Sequence, residues 1–227
     1  MSMERLLEPE LMDSWEQATG YDAMDFTEVN TAFAQEAIAL GPQSEALILD
    51  AGTGPGRIPI LICQMQPKWQ VIGIDMAKNM LQLAFQHVVK AQLQHQIRLE
   101  YVDAKKLSYP DSHFDMVVSN SLVHHLPNPL SFFQEIKRVL KPNGAILIRD
   151  LLRPKNEAAI SEILNGIGVE YDEPQKKLYH DSLHAALTLD EVNKLVSQVG
   201  LTEVRLHQSS DRHWTLERNY KKIKNKK

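Results

Sequence analysis

The central part of the chain alternates short apolar runs with segments whose apolar residues recur at helical spacing. Apolar runs of this length predict buried strands, and helices between them predict parallel strands joined by crossovers. The predicted strands are 46–50, 70–75, 97–103, 114–120 and 145–150. The predicted helices are 58–66, 78–94 and 130–140, the last of which ends at a Pro- and Gly-containing turn over 141–144. We therefore expect an α/β fold with a mostly parallel sheet.

The pattern is looser on both sides of this centre. Residues 1–40 predict one or two helices that form an N-terminal cap, and residues 41–217 predict the main domain. Thr188, with Glu191 three positions later, predicts the start of a helix. The elements expected after position 150 are a helix over 157–167, an irregular insertion over 168–187 above a ligand site, a helix over 190–199, strands over 203–208 and 213–217, and a flexible basic tail over 218–227.

Composition narrows the classes of function. The chain has 227 residues, 43% of them hydrophobic, and a formal net charge of −4. This length predicts one larger domain, and a chain without a basic surplus is not expected to bind nucleic acid. The single cysteine, Cys63, excludes an intramolecular disulfide and is expected to be buried. With neither a signal-like N-terminus nor an apolar run of membrane-spanning length, we expect a cytoplasmic protein without a membrane span. A homodimer remains open.

A glycine-rich turn follows the first predicted strand. Gly52, Gly54 and Gly56 alternate with other residues there, and such glycines let the backbone approach a ligand closely. A dinucleotide-binding turn needs another glycine where Arg57 stands. The carboxylate of Asp50 would repel a pyrophosphate and attract a ligand with a cationic amino group. Alternatively, Asp50 bonds only the N–H groups of the turn.

Two further acidic residues end successive predicted strands. Asp75 can accept hydrogen bonds from both hydroxyls of a ribose. Asp103 can accept from the amine of an adenine, or it can simply cap a helix. Met76 can pack on the adenine or within the core. Because ligands of open α/β sheets bind at the carboxyl ends of the strands, Asp50, Asp75 and Asp103 predict a nucleoside site on one edge.

In this order and spacing, these segments resemble the class I S-adenosylmethionine-dependent methyltransferases, above all their small-molecule branch with ubiquinone/menaquinone-type enzymes. The matching segments are 48–56, 71–76, 103–104, 114–120 and 135–145. The resemblance implies a three-layer, Rossmann-like, seven-stranded sheet with an antiparallel last strand, and S-adenosylmethionine as the cofactor. The cofactor-binding residues that it implies are Asp50, Ala51, Gly52, Thr53, Gly54, Gly56, Asp75, Met76, Asp103, Ala104, Ser119 and Asn120. Pro55, within the glycine-rich turn, departs from the pattern of this family.

The loop after the fourth predicted strand carries the candidate catalytic residues. His124 and His125 have side chains suited to removing a proton near neutral pH, although either can instead cap or pack the loop. Asn120 can orient the acceptor. The loop lacks the Asn/Asp-Pro-Pro-Tyr/Phe box of nucleic-acid and protein amino-methylating members, so a small-molecule acceptor is expected. Aromatic residues that can lie over the pocket or in the core are Trp15, Tyr21, Tyr171 and Tyr179.

Three other interpretations remain beside a small-molecule methyltransferase whose acceptor atom is undetermined. A nicotinamide-dependent oxidoreductase is disfavoured by Asp50 and Arg57. A non-catalytic S-adenosylmethionine-binding partner protein would use only the cofactor-binding residues and would have no catalytic residues. RNA methylation would use the basic stretch 221–227. No metal site is expected, because His180 and His184 have metal-binding helical spacing but no evident third ligand.

Overall fold

The computed structural model describes residues 3–8, 14–166 and 171–222. Its strands are β1 (Ala46–Ala51), β2 (Trp69–Asp75), β3 (Ile97–Tyr101), β4 (Phe114–Asn120), β5 (Leu140–Leu151), β6 (Arg205–Gln208) and β7 (His213–Arg218). Its α-helices are α1 (Trp15–Asp22), α2 (Thr27–Leu40), α3 (Arg57–Met65), α4 (Lys78–Lys90), α5 (Leu130–Val139), α6 (Glu157–Gly166), α7 (Glu173–Ala185) and α8 (Leu189–Val199). A 3-10 turn spans Val123–His125.

The strands form one seven-stranded sheet in the order β3-β2-β1-β4-β5-β7-β6. The first five strands pair in parallel, and β7 runs antiparallel to both β5 and β6. This confirms the expected mostly parallel sheet with an antiparallel last strand. The strand order reverses beside β1, which pairs with β2 on one side and β4 on the other. Ligands of such sheets bind at the carboxyl ends of the strands around this point.

Helices cover both faces of the sheet, so the predicted three-layer arrangement is confirmed. Successive side chains of a strand point to opposite faces. In β1, Ile48 packs in the core with α2, α3 and α4, whereas Leu49 packs in the core with α5 and α8. The predicted burial of Cys63 is confirmed on the first of these faces. Within the described ranges, no helix combines the length and apolar character needed to cross a membrane.

The N-terminal helices have two different positions. α2 buries Phe33, Ala34 and Ala37 in the same core cluster as β1, so it belongs to one layer of the sandwich. α1 contributes Ala18 to a smaller cluster with Met80 of α4. Residues 14–40 therefore contain two helices, and of these only α1 lies outside the layer that covers the sheet.

Three local expectations differ from the structure. The expected irregular insertion contains α7, which begins with a capping box between Asp172 and Gln175; residues 168–170 lie outside the described ranges. The expected turn over 141–144 lies inside β5, where the register with β4 shifts between Phe114 and Met116 and accommodates the Pro and Gly residues. The third strand ends at Tyr101, two residues before Asp103.

The start of the expected tail packs on the domain. Arg218 is the last residue of β7, and the N–H of Tyr220 donates to the carbonyl of Leu40 at 2.8 Å. The N–H of Lys221 donates to the carbonyl of Asn143 at 3.0 Å, and its side chain pairs with Glu203. These bonds extend the folded domain past position 217. The tail residues 223–227 lie outside the described ranges.

Candidate active site

A cavity of about 1480 Å³ opens at the carboxyl ends of the parallel strands. The turns that follow β1, β2 and β3 line one end of it, which we call the nucleoside end. The loop after β4, the end of β5 and helix α7 line the other, which we call the histidine end. The predicted site residues found along the cavity are Gly52, Thr53, Gly54, Asp75, Met76, Asp103, Ala104, Asn120, His124 and His125.

The glycine turn is shaped for a ligand at one position and for packing at another. Gly54 has a φ of +53°, and a Cβ added to it would meet no atom of the described residues within 4 Å. Its backbone therefore faces open cavity. Gly56 has a φ of +75°, and a Cβ there would lie 2.9 Å from the Cβ of Ala84. The absence of a side chain thus lets α3 approach α4, while Gly54 leaves room for a bound group.

Asp75 reaches the cavity from the end of β2. Its Oδ2 accepts from the N–H of Gly54 at 2.8 Å, and its Oδ1 accepts from the N–H of Ala77 at 2.8 Å. Burial raises the pKa of Asp75 despite these bonds. Asp103 also lines the cavity, where its Oδ1 accepts from the N–H of Lys105 at 2.8 Å. The two carboxylates are therefore held in place by backbone donors of neighbouring residues.

Asp50 is placed differently from the other two acids. Its side chain is 1% exposed, and its Oδ2 accepts from the hydroxyl of Thr53 at 2.7 Å. Burial raises the pKa of Asp50 to about 7. Of the predicted cofactor-binding residues, those outside the described lining of the cavity are Asp50, Ala51, Gly56 and Ser119. Asp50 therefore bonds its own turn through the Thr53 hydroxyl rather than through the N–H groups that the alternative interpretation named.

At the histidine end, a buried aspartate orients one of the two histidines. Asp150, near the end of β5, accepts from the N–H of Val123 at 2.5 Å, and its Oδ1 lies 2.5 Å from the Nδ1 of His124. Burial alone would lower the pKa of His124, but the charge of Asp150 and the hydrogen bond to it outweigh burial and raise it. The same pairing lowers the pKa of Asp150 against the opposite effect of burial. His124 is thus favoured in its charged form.

The N-terminal segment, residues 3–8, lies against both the 3-10 turn and α7. The guanidinium of Arg5 donates to the carbonyls of Ala185, His124 and Leu126 at 2.6, 3.0 and 3.0 Å. The N–H of Leu6 donates to the carbonyl of His184 at 3.2 Å. These bonds connect a segment of irregular backbone to two elements far away in sequence, and they place the next carboxylate, that of Glu8.

Glu8 contacts both histidines. Its Oε1 lies 2.8 Å from the Nδ1 of His125 and 3.4 Å from the Nε2 of His124, and the Ser182 hydroxyl donates to its Oε2 at 3.0 Å. Burial would raise the pKa of Glu8, but the nearby imidazoles of His125 and His124 and the hydroxyl of Ser182 lower it on balance. Glu8 could not be predicted from the sequence, because its neighbours carry no motif and its partners come from distant segments.

The two histidines therefore have different chemical capacities. His124 is 4% exposed and has a carboxylate at each ring nitrogen, whereas the His125 side chain is 15% exposed. The negative charge of an ionised Glu8 beside Nδ1 favours the tautomer of a neutral His125 that has its proton on Nδ1 and a lone pair on Nε2. This is the protonation state of a general base. His124, held between Asp150 and Glu8, is suited to positioning Glu8.

Of the aromatic residues predicted to lie over the pocket or in the core, three line the cavity and one does not. Tyr21, Tyr171 and Tyr179 line the cavity, and burial raises the pKa of Tyr21 to about 12. Trp15 is exposed at the start of α1 and does not belong to the described lining. The 171–187 part of the expected insertion therefore contains helix α7, which lines the cavity. Ser182 on the same helix contacts Glu8.

The sheet order and the cavity at its carboxyl edge define a Rossmann-like methyltransferase fold. A family model described as a methyltransferase domain matches residues 42–219, and the chain belongs to this family. It is 28% identical over 154 residues to 27-O-demethylrifamycin SV methyltransferase from Amycolatopsis mediterranei, covering 68% of this chain and 53% of that protein. It is 36% identical over 109 residues to demethylmenaquinone methyltransferase from Lactobacillus johnsonii, covering 48% and 45%. The chain thus spans about half the length of these curated relatives.

A solved structure supports the same fold. Phosphoethanolamine N-methyltransferase 2 from Haemonchus contortus, in complex with S-adenosyl-L-methionine, matches with a TM-score of 0.71 at 17% identity. The match covers 92% of this chain and 58% of that chain. At this level of identity, the match shows that the two chains share a fold.

Proposed function

We propose that this chain binds S-adenosylmethionine at the nucleoside end of the cavity and transfers its methyl group to a small-molecule acceptor at the histidine end. The observation that carries this proposal is one cavity with fixed carboxylates at one end and a carboxylate-held histidine at the other. Ligand sites of this kind combine a largely apolar wall with a few placed polar groups.

The residues of the nucleoside end fit the proposed cofactor. The open backbone at Gly54 leaves room for the methionine part, and Asp75 presents a carboxylate to ribose hydroxyls. Asp103, with Met76 and Ala104, lies where an adenine would pack. When bound, S-adenosylmethionine supplies a methyl group on a sulfonium, which is already activated for transfer. The protein then has to position the acceptor, exclude water and accept a proton.

The histidine end supplies these remaining functions. Glu8 orients His125 through Nδ1, so that its Nε2 takes the proton of an acceptor O–H, N–H or C–H group. His124 and Asp150 hold Glu8 and neutralise part of its charge. Asn120 lines the cavity between the two ends and orients the acceptor. The N-terminal segment and α7 pack around Glu8 and His124, which are both 4% exposed.

A small-molecule acceptor is supported by the curated relatives, which are named for rifamycin and menaquinone precursors. The acceptor atom, whether oxygen, nitrogen, carbon or sulfur, is left to experiment. We also propose a cytoplasmic location, supported by a buried free thiol at Cys63. A metabolite of the cytoplasm is therefore the proposed substrate.

The proposal is tested in two steps on the purified chain. First, thermal unfolding is followed with S-adenosylhomocysteine or NAD⁺, and only the former is expected to raise the midpoint. Second, labelled S-adenosylmethionine is incubated with a metabolite extract, and a labelled product is expected with the wild-type protein but not with His125→Gln. Failure of S-adenosylhomocysteine to bind contradicts the proposal. Binding without any labelled product supports the non-catalytic partner protein instead.

A further inference from the structure

We propose that Glu157, His180 and His184 form a binding site for a divalent cation of the zinc type, outside the cavity of the proposed methyl transfer. His180 and His184 lie one turn apart on α7, and Glu157 is the first residue of α6. The third ligand, which was not evident from the sequence, is therefore Glu157. It comes from a different helix and lies 23 positions before His180.

The three side chains already converge. The Nε2 of His180 lies 2.7 Å from the Oε1 of Glu157, and the Nε2 of His184 lies 3.1 Å from its Oε2. The two imidazole centroids are 4.7 Å apart, and all three ligand atoms lie within 4.8 Å of one another. Zinc binds imidazole nitrogen and carboxylate oxygen at about 2.0–2.2 Å, so small side-chain rotations would bring the three atoms around one ion.

The surroundings of His180 add a second observation. The Nδ1 of His180 lies 3.3 Å from the carboxylate of Asp181, the arrangement that commonly orients a metal-bound histidine. Glu157 is 61% exposed, so an ion and its remaining water ligands can reach the cluster from solvent.

A mixed imidazole and carboxylate ligand set favours zinc and similar transition metals over magnesium, which prefers oxygen ligands. A second cluster, Glu8 with His124 and His125, also has three possible ligands. There, however, the guanidinium of Arg5 donates to the carbonyl of His124 and repels a cation, and Glu8 and His124 are 4% exposed. These contacts favour the exposed cluster on α6 and α7.

Binding at this site would join two helices beside the cavity. A bound ion would connect α6 to α7, and α7 contributes Tyr179 and Ser182 to the cavity wall. The carbonyl of His184 also accepts from Leu6 of the N-terminal segment. The expected role is therefore to stabilise the wall of the histidine end, and it does not depend on which reaction takes place there.

Zinc binding by the full chain, first treated with a chelator, tests the site directly. Calorimetric titration with Zn²⁺ is expected to give one equivalent for the wild-type protein, and titration with Mg²⁺ none. His180→Gln, His184→Gln and Glu157→Gln are each expected to abolish stoichiometric binding. The matched control is His95→Gln, which changes an exposed histidine outside both clusters and is expected to retain it.

Two further measurements separate ligation from misfolding. Circular dichroism of each variant is expected to match that of the wild type, and Zn²⁺ is expected to raise the unfolding midpoint of the wild type and His95→Gln only. Asp181→Asn is expected to keep the site but weaken it about 10–100-fold. The proposal is overturned by no stoichiometric zinc, by equal loss in His95→Gln, or by binding that persists in Glu157→Gln but disappears in His124→Gln.

Discussion

The two ends of the cavity are built in opposite ways. At the nucleoside end, Asp75 and Asp103 accept from backbone N–H groups no more than 21 positions away, in turns that directly follow strands. At the histidine end, Glu8 contacts Ser182 across 174 positions, and Arg5 reaches His124 across 119. The first end thus depends on local turn geometry, whereas the second depends on how four distant segments pack.

The two ends also differ in their electrostatics. The nucleoside end holds carboxylates with backbone donors, an arrangement suited to binding a neutral or cationic group. The histidine end alternates carboxylates and imidazoles from Asp150 through His124 and Glu8 to His125. Such a chain of charges is suited to holding and moving a proton. We therefore expect substitutions at one end to change cofactor affinity, and substitutions at the other to change turnover and stability.

The largest expected effect is the loss of turnover in His125→Gln. Gln keeps a polar side chain but lacks the basic nitrogen, and general-base catalysis contributes about 10²–10⁴-fold to rate. The turnover number, measured once an acceptor is identified, is expected to fall by this factor. The dissociation constant of S-adenosylhomocysteine is expected to stay unchanged. His95→Gln is the control. If the affinity of His125→Gln for the cofactor fell by the same factor as its turnover, the division between the two ends would be contradicted.

The next effect is on stability, in Asp150→Asn. This change leaves the charge of His124 buried without one of its partners, and breaking a buried pair costs about 3 kcal/mol. Urea unfolding near pH 6 is expected to report this loss. Asp211→Asn, at an exposed position, is the control, with an expected change under about 0.5 kcal/mol.

The pH dependence of this loss follows from the directions of the two pKa shifts. The raised pKa of His124 contributes stability below its ordinary value of 6.5, and this contribution disappears as pH rises through the raised pKa. The lowered pKa of Asp150 contributes stability above 3.8 that disappears as pH falls. The difference between wild type and Asp150→Asn is therefore expected to be largest between about pH 4 and 6.5. An equal difference at pH 9 would contradict the assigned pairing.

A smaller effect is expected at the nucleoside end, in Asp75→Asn. The substitution removes a charged acceptor for ribose hydroxyls, and hydrogen bonds to charged groups contribute about 1.5–3 kcal/mol. The affinity for S-adenosylhomocysteine, measured by calorimetry, is expected to fall about 10–100-fold. Turnover at saturating S-adenosylmethionine is expected to change less than in His125→Gln. Asp111→Asn, at an exposed site, is the control. Unchanged affinity in Asp75→Asn would contradict the proposal that Asp75 binds the ribose of the cofactor.

The same contrast explains what the sequence could predict. A strand that ends in an acid and a turn is a local sequence pattern. The sheet, the glycine turn and the cavity positions of Asp75 and Asp103 could therefore be predicted from the sequence. Glu8 was not, because its role depends on Arg5 bonding three carbonyls of distant segments. Glu157 was missed for the same reason, since no local spacing relates α6 to the histidines of α7.

Asp50 shows what the strand pattern leaves open at the nucleoside end. The sequence placed Asp50 beside Asp75 and Asp103 as equivalent acids at strand ends. The structure buries its carboxylate under the hydroxyl of Thr53 instead. A strand end fixes which edge of the sheet an acid lies on, but the pleat decides whether its side chain faces the cavity or the interior. That choice needs the packed structure.

Asp50→Asn, with the smallest expected effect on cofactor affinity and turnover, separates this buried acid from the cavity acids. Asn keeps an oxygen that accepts from Thr53 but has no charge to bury. Because the folded-state pKa of about 7 lies above the ordinary 3.8, the wild type loses stability as pH rises between these values. The gap of about 3 pKa units corresponds to about 4 kcal/mol, so Asp50→Asn is expected to be more stable than the wild type by up to about 4 kcal/mol at pH 8, and nearly equal at pH 4. Thermal unfolding at both pH values measures this, and a destabilised variant at pH 8 would mean that the charge of Asp50 is needed in the folded protein.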